Sequence, residues 1–204
     1  MGNKTNTNAV NTFAIILSCE KYKDKKLSQD TTRLGDYMYF IGNPELSSPI
    51  IEGDVVYLPC PDNYESLPIK TLLAVKWAFK NKDFDLLIKT DDDVRFLEGF
   101  DKIVCEASIH DYSGYLMKGG YMSDCHFKKC DDAELNNLPL KVPEVTYCNG
   151  PLYFLSKKSA SFLVDYELRD DYCIYEDAEV GELLRRSGII ARQIQTYAGV
   201  FYPK

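Results

Sequence analysis

The sequence predicts a single α/β domain with a mostly parallel central sheet flanked by helices. Short apolar runs of strand character alternate with longer stretches of helical periodicity, which is the pattern of βαβ units. One of these runs, Leu86-Leu87-Ile88-Lys89-Thr90, carries three consecutive carboxylates, Asp91, Asp92 and Asp93, at its end. Ligands of open α/β sheets collect beyond the carboxyl ends of the strands. A length of 204 residues suffices for one well-packed domain, or two small ones at most.

Residues 1–11 are polar and rich in Asn and Thr, and are expected to form a disordered lead. Residues 12–204 then form the domain, either a whole protein or one domain of a longer chain. Phe13 to Ser18 reads as a buried first strand, and Asp36 to Ile41 and Asp54 to Leu58 as two more. Turn chemistry separates them at Gly42-Asn43-Pro44 and Ser47-Ser48-Pro49. Ser66 to Lys82 predicts a helix, with Ser66 as N-cap, Pro68 tolerated in the first turn and Leu72, Val75, Trp77 and Phe79 on an apolar face. Phe84 to Ile88 is the strand that leads into the carboxylates. A helix is expected through Ile103 to Ile109, and a strand over Tyr115 to Met122 with an interruption at Gly119-Gly120. Residues 123–146 read as a long irregular segment, the kind that serves as a lid or acceptor-binding element. Leu152 to Leu155 returns to strand character, Ser156 caps a helix to about Val164, and a last helix runs from Glu176 to Ser187, stopped by Gly188. Ile190 to Gln195 and Gly199 to Tyr202 close as strands.

Composition excludes several functions. The net charge is −7, from 24 basic and 31 acidic residues, and no basic face is visible, so nucleic acid is not an expected partner. An acidic chain can still bind an anionic nucleotide when a metal ion intervenes. The seven cysteines are odd in number and form no CxxC pair, which fits a reducing compartment rather than a disulfide framework. Cys125-His126 with Cys130 is only a fragment of a zinc pattern, because the chain has two histidines in all. The apolar run Phe13 to Leu17 is far too short to cross a membrane, no signal peptide precedes it, and Asn6 stands where a myristoylation signal needs Ser or Thr. A soluble cytoplasmic chain is expected.

Three adjacent carboxylates repel one another, and a hard divalent cation such as Mg²⁺ or Mn²⁺ removes that repulsion. The cation can in turn hold a diphosphate. A solvated acidic turn is the plain alternative, and the buried strand before the triplet weighs against it. The second constellation is Tyr175-Glu176-Asp177-Ala178-Glu179-Val180-Gly181. Acidic residues are favoured at a helix N-terminus in any case; the functional reading is a carboxylate held rigidly as a general base. The third is Tyr147-Cys148-Asn149-Gly150-Pro151, read as a tight loop before a strand, in which Gly150 allows close backbone approach to a sugar or phosphate. Lys70, in the first turns of the helix before the acidic strand, could meet phosphate oxygens or simply face solvent.

The order of these segments resembles a known family. Asp62-Asn63-Tyr64-Glu65-Ser66-Leu67-Pro68-Ile69-Lys70-Thr71 is similar to the D-x-Y-x-N-L-x-x-K-T segment of the β-1,3-galactosyltransferase and Fringe-like glycosyltransferases. In that family a Trp-containing helix, a K-x-DDD strand end, a Y-C-S/N-G-G loop and an E-D-V-x-x-G helix follow. Here Trp77, Lys89 to Asp93, Tyr147 to Gly150 and Glu176 to Gly181 follow in that order. The resemblance implies a GT-A (Rossmann-like) fold, a UDP-sugar donor, a glycan acceptor, Mn²⁺ (or Mg²⁺) and inversion at the anomeric carbon. It implies Asp177 as general base, Asp93 with Asp91 at the metal, and Asp91, Asp92, Asp62, Lys70, Asn149 and Gly150 around the donor.

There are departures from the family pattern. The family's metal-binding His after the last strands has no counterpart in Gly199 to Lys204, and the second Gly of the loop is Pro151. The lack of an anchor makes the chain look more like the compact domains of large algal viruses, which implies host-cell cytoplasm. Two alternatives stand beside the glycosyltransferase reading. One is a catalytically degenerate module that binds nucleotide or glycan. The other is a Mg²⁺-dependent phosphotransferase, which would want a nucleophilic Asp where the first strand ends in Ser18-Cys19-Glu20.

Overall fold

A computed structural model of the chain describes residues 10–22, 29–168 and 171–201. The sheet is built outward from β1 (Thr12–Leu17), which pairs in parallel with β2 (Asp36–Gly42) on one side and β5 (Leu86–Asp91) on the other. β2 continues in parallel to β4 (Val55–Leu58), and β3 (Ile50–Glu52) closes that edge antiparallel to β4. On the other side β10 (Thr146–Ser156) runs antiparallel to both β5 and β7 (Tyr112–Lys118), and β11 (Arg192–Gln193) lies parallel to β7. The eight-stranded order is β11-β7-β10-β5-β1-β2-β4-β3. The sheet is therefore mixed: a parallel half around β1 and an antiparallel insertion at β10.

β1 has no polar alternation because both of its faces are covered, as is usual for parallel strands. Phe13, Ile15 and Leu17 point into one apolar cluster with Leu87, Tyr153 and Leu155. That cluster is roofed by α1 (Leu67–Asn81), α3 (Lys157–Val164) and α4 (Glu176–Arg186). Ala14 and Ile16 point the other way, toward Ile88, Phe154 and the residues of α2 (Phe100–Ala107). β6 (Arg95–Phe96) and β12 (Val200–Phe201) form a small antiparallel pair below this second face.

Most expected elements are present, with corrections that have physical reasons. Ser156 caps α3 as anticipated, its Oγ accepting from the Ser159 amide at 3.2 Å. Ser66 stands at the N-cap position of α1 but makes no side-chain cap; its own amide donates to Asn63 Oδ1 at 3.1 Å. Gly188 follows α4 with φ 77°, a left-handed conformation that a glycine adopts without strain. The expected strand over Tyr115–Met122 is divided into β7 and β8 (Met122–Ser123), and β8 pairs with β9 (Leu140–Lys141) inside the segment expected to be irregular. The strand expected over Ile190–Gln195 is reduced to β11.

Tyr147 to Pro151 is not a loop before a strand but part of β10 itself. Against β7, the register jumps between Cys148, opposite Leu116, and Tyr153, opposite Gly114. The extra residues form a bulge, where a proline without an amide proton is tolerated. Of the expected N-terminal lead, residues 1–9 lie outside the described residues, as does Tyr202; Asn11 is already packed, its carbonyl accepting from the Asp85 amide at 2.8 Å.

Candidate active site at the ends of β1 and β5

The carboxyl ends of β1 and β5 open into a cleft of about 600 Å³. Asp91, Asp92 and Asp93 line it together with Ser18, Asp62 and Lys70, and the segment after β8 contributes Lys128, Lys129 and Asp131 from across the opening. Asp91 and Asp92 are half-buried and Asp93 is exposed. Ser18 Oγ donates to Asp92 Oδ2 at 2.7 Å, which fixes the middle carboxylate to the end of β1.

Asp62 and Lys70 form the wall beside it. Lys70 is 1% exposed and donates from Nζ to the Ser18 carbonyl at 2.9 Å and to Asp62 Oδ1 at 2.5 Å. Asp62 also accepts from the amides of Gly42, at 2.9 Å, and Glu20, at 2.7 Å. The pair thus ties the ends of β1 and β2 to α1. The segment over residues 123–146 is anchored to the same region. Glu65 accepts from the Asp131 amide at 3.1 and 3.2 Å and from the Asp132 amide at 3.1 Å. His126, fully buried, bonds Tyr175 Oη at 2.5 Å and the Leu138 carbonyl at 2.7 Å through its two ring nitrogens. His126 is thereby occupied as a packing residue.

Asp177, Asn149 and Gly150 do not line the cleft but stand against it from the β10 side. The β10 bulge brings the Gly150 amide to Asp177 Oδ2 at 2.9 Å. A Cβ on residue 150 would lie 3.3 Å from that same oxygen, so glycine permits the carboxylate to come this close. Asn149 is half-buried next to it. Asp177 opens α4 half-exposed, and its Oδ1 accepts from the Ala178 amide at 2.9 Å.

A buried lysine joins the two halves. Lys89, 2% exposed, donates to Asp91 Oδ1 at 2.8 Å and to the Gly150 carbonyl at 2.6 Å, and pairs with Glu176 Oε2 at 3.1 Å. Tyr153 Oη donates to the other Glu176 oxygen. In sequence Lys89 is a polar interruption of an apolar strand, and the partners that bury it come from residues 61 or more positions away. Only the tertiary structure reveals it.

The electrostatics follow from this packing. Burial alone would push the Lys89 ammonium down, but Asp91 and Glu176 outweigh it and hold it above the ordinary lysine value. Burial pushes Glu176 up to about 7, against the pull of Lys89. Burial also raises Asp177, opposed by Lys89 and by the Ala178 and Gly150 amides. A carboxyl raised in this way is better matched to proton abstraction near neutral pH than an ordinary aspartate.

The described residues contain no group of three or more His, Cys, Asp or Glu side chains arranged to hold a metal ion. The arrangement suits a cation of the magnesium type all the same. Such ions are held by one or two carboxylates plus substrate phosphates rather than by an all-protein cage, and exposed Asp93 and half-buried Asp92 both line the cleft.

Parts of the chain resemble known proteins. A stretch of 41 residues is 46% identical to UDP-GalNAc:beta-1,3-N-acetylgalactosaminyltransferase 2 of Danio rerio, covering 20% of this chain and 8% of that protein. The same enzyme of Mus musculus is 40% identical over 43 residues, 21% of this chain and 8% of the relative. The chain thus matches less than a tenth of the length of these relatives. Among solved structures, a putative glucose-1-phosphate thymidylyltransferase from Bacillus anthracis aligns over 92% of this chain and 87% of its own, with a TM-score of 0.47 and 13% identity. The sequence pattern described as galactosyltransferase matches residues 48–195, from before the Asp62 segment through the acidic strand end to beyond α4, and the chain belongs to that family.

Proposed function

We propose that this protein is a metal-dependent inverting glycosyltransferase that moves a sugar from a UDP-sugar to a hydroxyl of a glycan acceptor. The observation that carries the reading is the juxtaposition of an acidic strand end on the cleft with Asp177 on the adjacent strand's flank, linked through Gly150 and Lys89. In this reading the donor's diphosphate lies over Asp91 to Asp93, between the β1 end and Lys128 and Lys129. Asp93, with Asp91, would hold a divalent cation, which would supply charge neutralisation at the leaving diphosphate.

Asp177 accepts the proton of the acceptor hydroxyl while that oxygen forms its bond to the anomeric carbon. The bond from that carbon to the diphosphate oxygen breaks, and UDP leaves with the electron pair. Attack from the face opposite the leaving group inverts the centre. Asp62 and Lys70 shape the wall of the donor cleft. The segment over residues 123–146, anchored to Glu65, lines the donor cleft through Lys128, Lys129 and Asp131 and would also contact the acceptor. The relatives' names make UDP-GalNAc the first donor to test.

The test is calorimetric titration of UDP, UDP-GalNAc and UDP-galactose with Mn²⁺ and again with EDTA. The expected result is Mn²⁺-dependent binding with a preference for one sugar. Failure of UDP to bind under either condition would overturn the reading. Binding with no turnover on any acceptor would favour a degenerate binding module.

A further inference from the structure

We propose that Lys89 is a positioning residue whose ammonium sets the orientation and charge of Asp177 through the Gly150 peptide. The inference rests on the reading of Asp177 as the general base. Lys89 Nζ has three acceptors on three elements: Asp91 Oδ1 at 2.8 Å, the Gly150 carbonyl at 2.6 Å and Glu176 Oε2 at 3.1 Å. An ammonium has three protons, so each is directed. The Gly150 peptide is gripped at both ends, its carbonyl by Lys89 and its amide by Asp177 Oδ2 at 2.9 Å. This peptide lies in the β10 bulge, where no ladder partner on β7 holds it. The lysine therefore does for the bulge what strand pairing does elsewhere, and the bulge in turn aims the carboxylate.

The groups around Asp177 come from several elements. Lys89 and Asp91 stand on β5, and Glu176 adjoins Asp177 on α4. Tyr112 on β7, with Tyr147, Cys148 and Tyr153 on β10, complete the near side. Tyr64 and Cys173 face it from the segments before α1 and α4. Burial pushes each of these phenols and thiols up, so they stay neutral where a carboxylate titrates. Lys89 is the cation that counters the burial of Asp177 and the repulsion from Asp91. It also places donor and acceptor sides under one control, because the same ammonium holds Asp91 at the cleft.

The experiment is a carbon NMR titration of the full chain with ¹³C-labelled aspartate side chains, the Asp177 signal being identified by its loss in Asp177→Asn. The expected result in Lys89→Met is a rise of the Asp177 midpoint by about one pH unit or more, a tenfold gain in proton affinity. Lys89→Arg, which keeps the charge, is expected to return most of that shift. A purely structural lysine would leave the midpoint in place, and an unmoved midpoint in folded Lys89→Met overturns the inference. Should Lys89→Met fail to fold, Lys89→Gln removes the charge while keeping a donor for the Gly150 carbonyl and is expected to show the same rise; an unmoved midpoint there is equally fatal. Transfer by Asp177→Asn with UDP-GalNAc separates the two ideas. If that variant still transfers sugar, the base reading falls and the catalytic part of this inference with it. If it is inactive while the midpoint stays fixed in Lys89→Met, only this inference falls.

Discussion

Gly181→Ala is the substitution whose outcome the packing fixes most tightly. An ideal Cβ at position 181 would lie 2.4 Å from Tyr147 Cβ and 3.2 Å from Tyr147 Cα. Carbon atoms rest at about 3.5–4.0 Å, so α4 and β10 must separate by about 1 Å. The near atoms belong to the strand's backbone and first side-chain carbon, which cannot swing aside. Overpacking of this kind costs about 1–3 kcal/mol, while alanine returns about 1 kcal/mol of helix propensity over glycine. A net loss of up to about 2 kcal/mol lowers Tm by up to about 8 °C in a chain of this size. Activity is expected to fall further than stability. Asp177 sits one turn earlier on α4 and is aimed by Gly150 of the same strand, and a displacement of about 1 Å at a reacting group can cost about 100-fold in rate. The assay is thermal unfolding together with kcat/KM on any donor that turns over. Gly188→Ala serves as control, since nothing lies within 4 Å of a Cβ there and only the positive φ of 77° opposes it. A Gly181→Ala protein as stable and as active as the parent would refute the close approach of α4 to β10.

Asp177→Asn is expected to abolish transfer while leaving UDP-sugar affinity nearly unchanged, as measured by turnover and calorimetry; retained transfer removes Asp177 as base. Asp93→Ala should weaken donor binding in Mn²⁺ to the level seen with EDTA, and unchanged affinity would move the metal elsewhere. His126→Ala removes the bonds to the Leu138 carbonyl and to Tyr175 Oη, which keeps its bond to the Ser123 carbonyl at 3.2 Å, a loss of about 0.5–1.5 kcal/mol per hydrogen bond; hydrogen exchange should rise first over residues 123–146, and uniform exchange would count against the anchor. Glu182 accepts from Arg185 at 2.7 and 2.8 Å and from Arg186 at 2.9 Å, and these contacts hold its carboxyl below the ordinary value. A depressed folded value means stability that is present above the unfolded pKa and lost as pH falls through the folded one. Glu182→Gln should therefore cost up to about 1 kcal/mol at pH 7 and progressively less as pH falls through the lowered folded value; a cost that does not shrink in acid would refute the ion-pair account.

Much of this was legible in the sequence because local chemistry and burial agree. β1 and β5 are apolar on both faces because both are covered, and Ser156 caps the helix that its position announces. Asp91 to Asp93, Asp62 and Lys70 were all expected at one site, and one cleft gathers them. What escaped the sequence depends on partners far along the chain. Tyr147 to Pro151 has the residues of a turn, and only pairing with β5 and β7 makes it a bulge inside a long strand. Lys89 enters the sequence only as part of the K-x-DDD strand end, and its burial follows from Gly150 and Glu176 closing over it. Ser66 carries the right side chain for a cap, yet Asn63 engages its amide instead.

The place of β10 between β5 and β7 also sets an order of assembly. As the chain emerges during synthesis, β1, β2, β4 and β5 can pair as soon as residue 91 is available, with α1 against them. The far edge of β5, which bears the three aspartates at its end, stays open until residues 146–156 arrive. β7 is made earlier but has no partner in the sheet until then. Non-local pairings of this kind are slow to form, and unpaired edges expose a nascent chain to association with others. The same strand that aims Asp177 is thus the piece that joins β7 to β5, so a chain interrupted before it lacks both that join and its proposed chemistry.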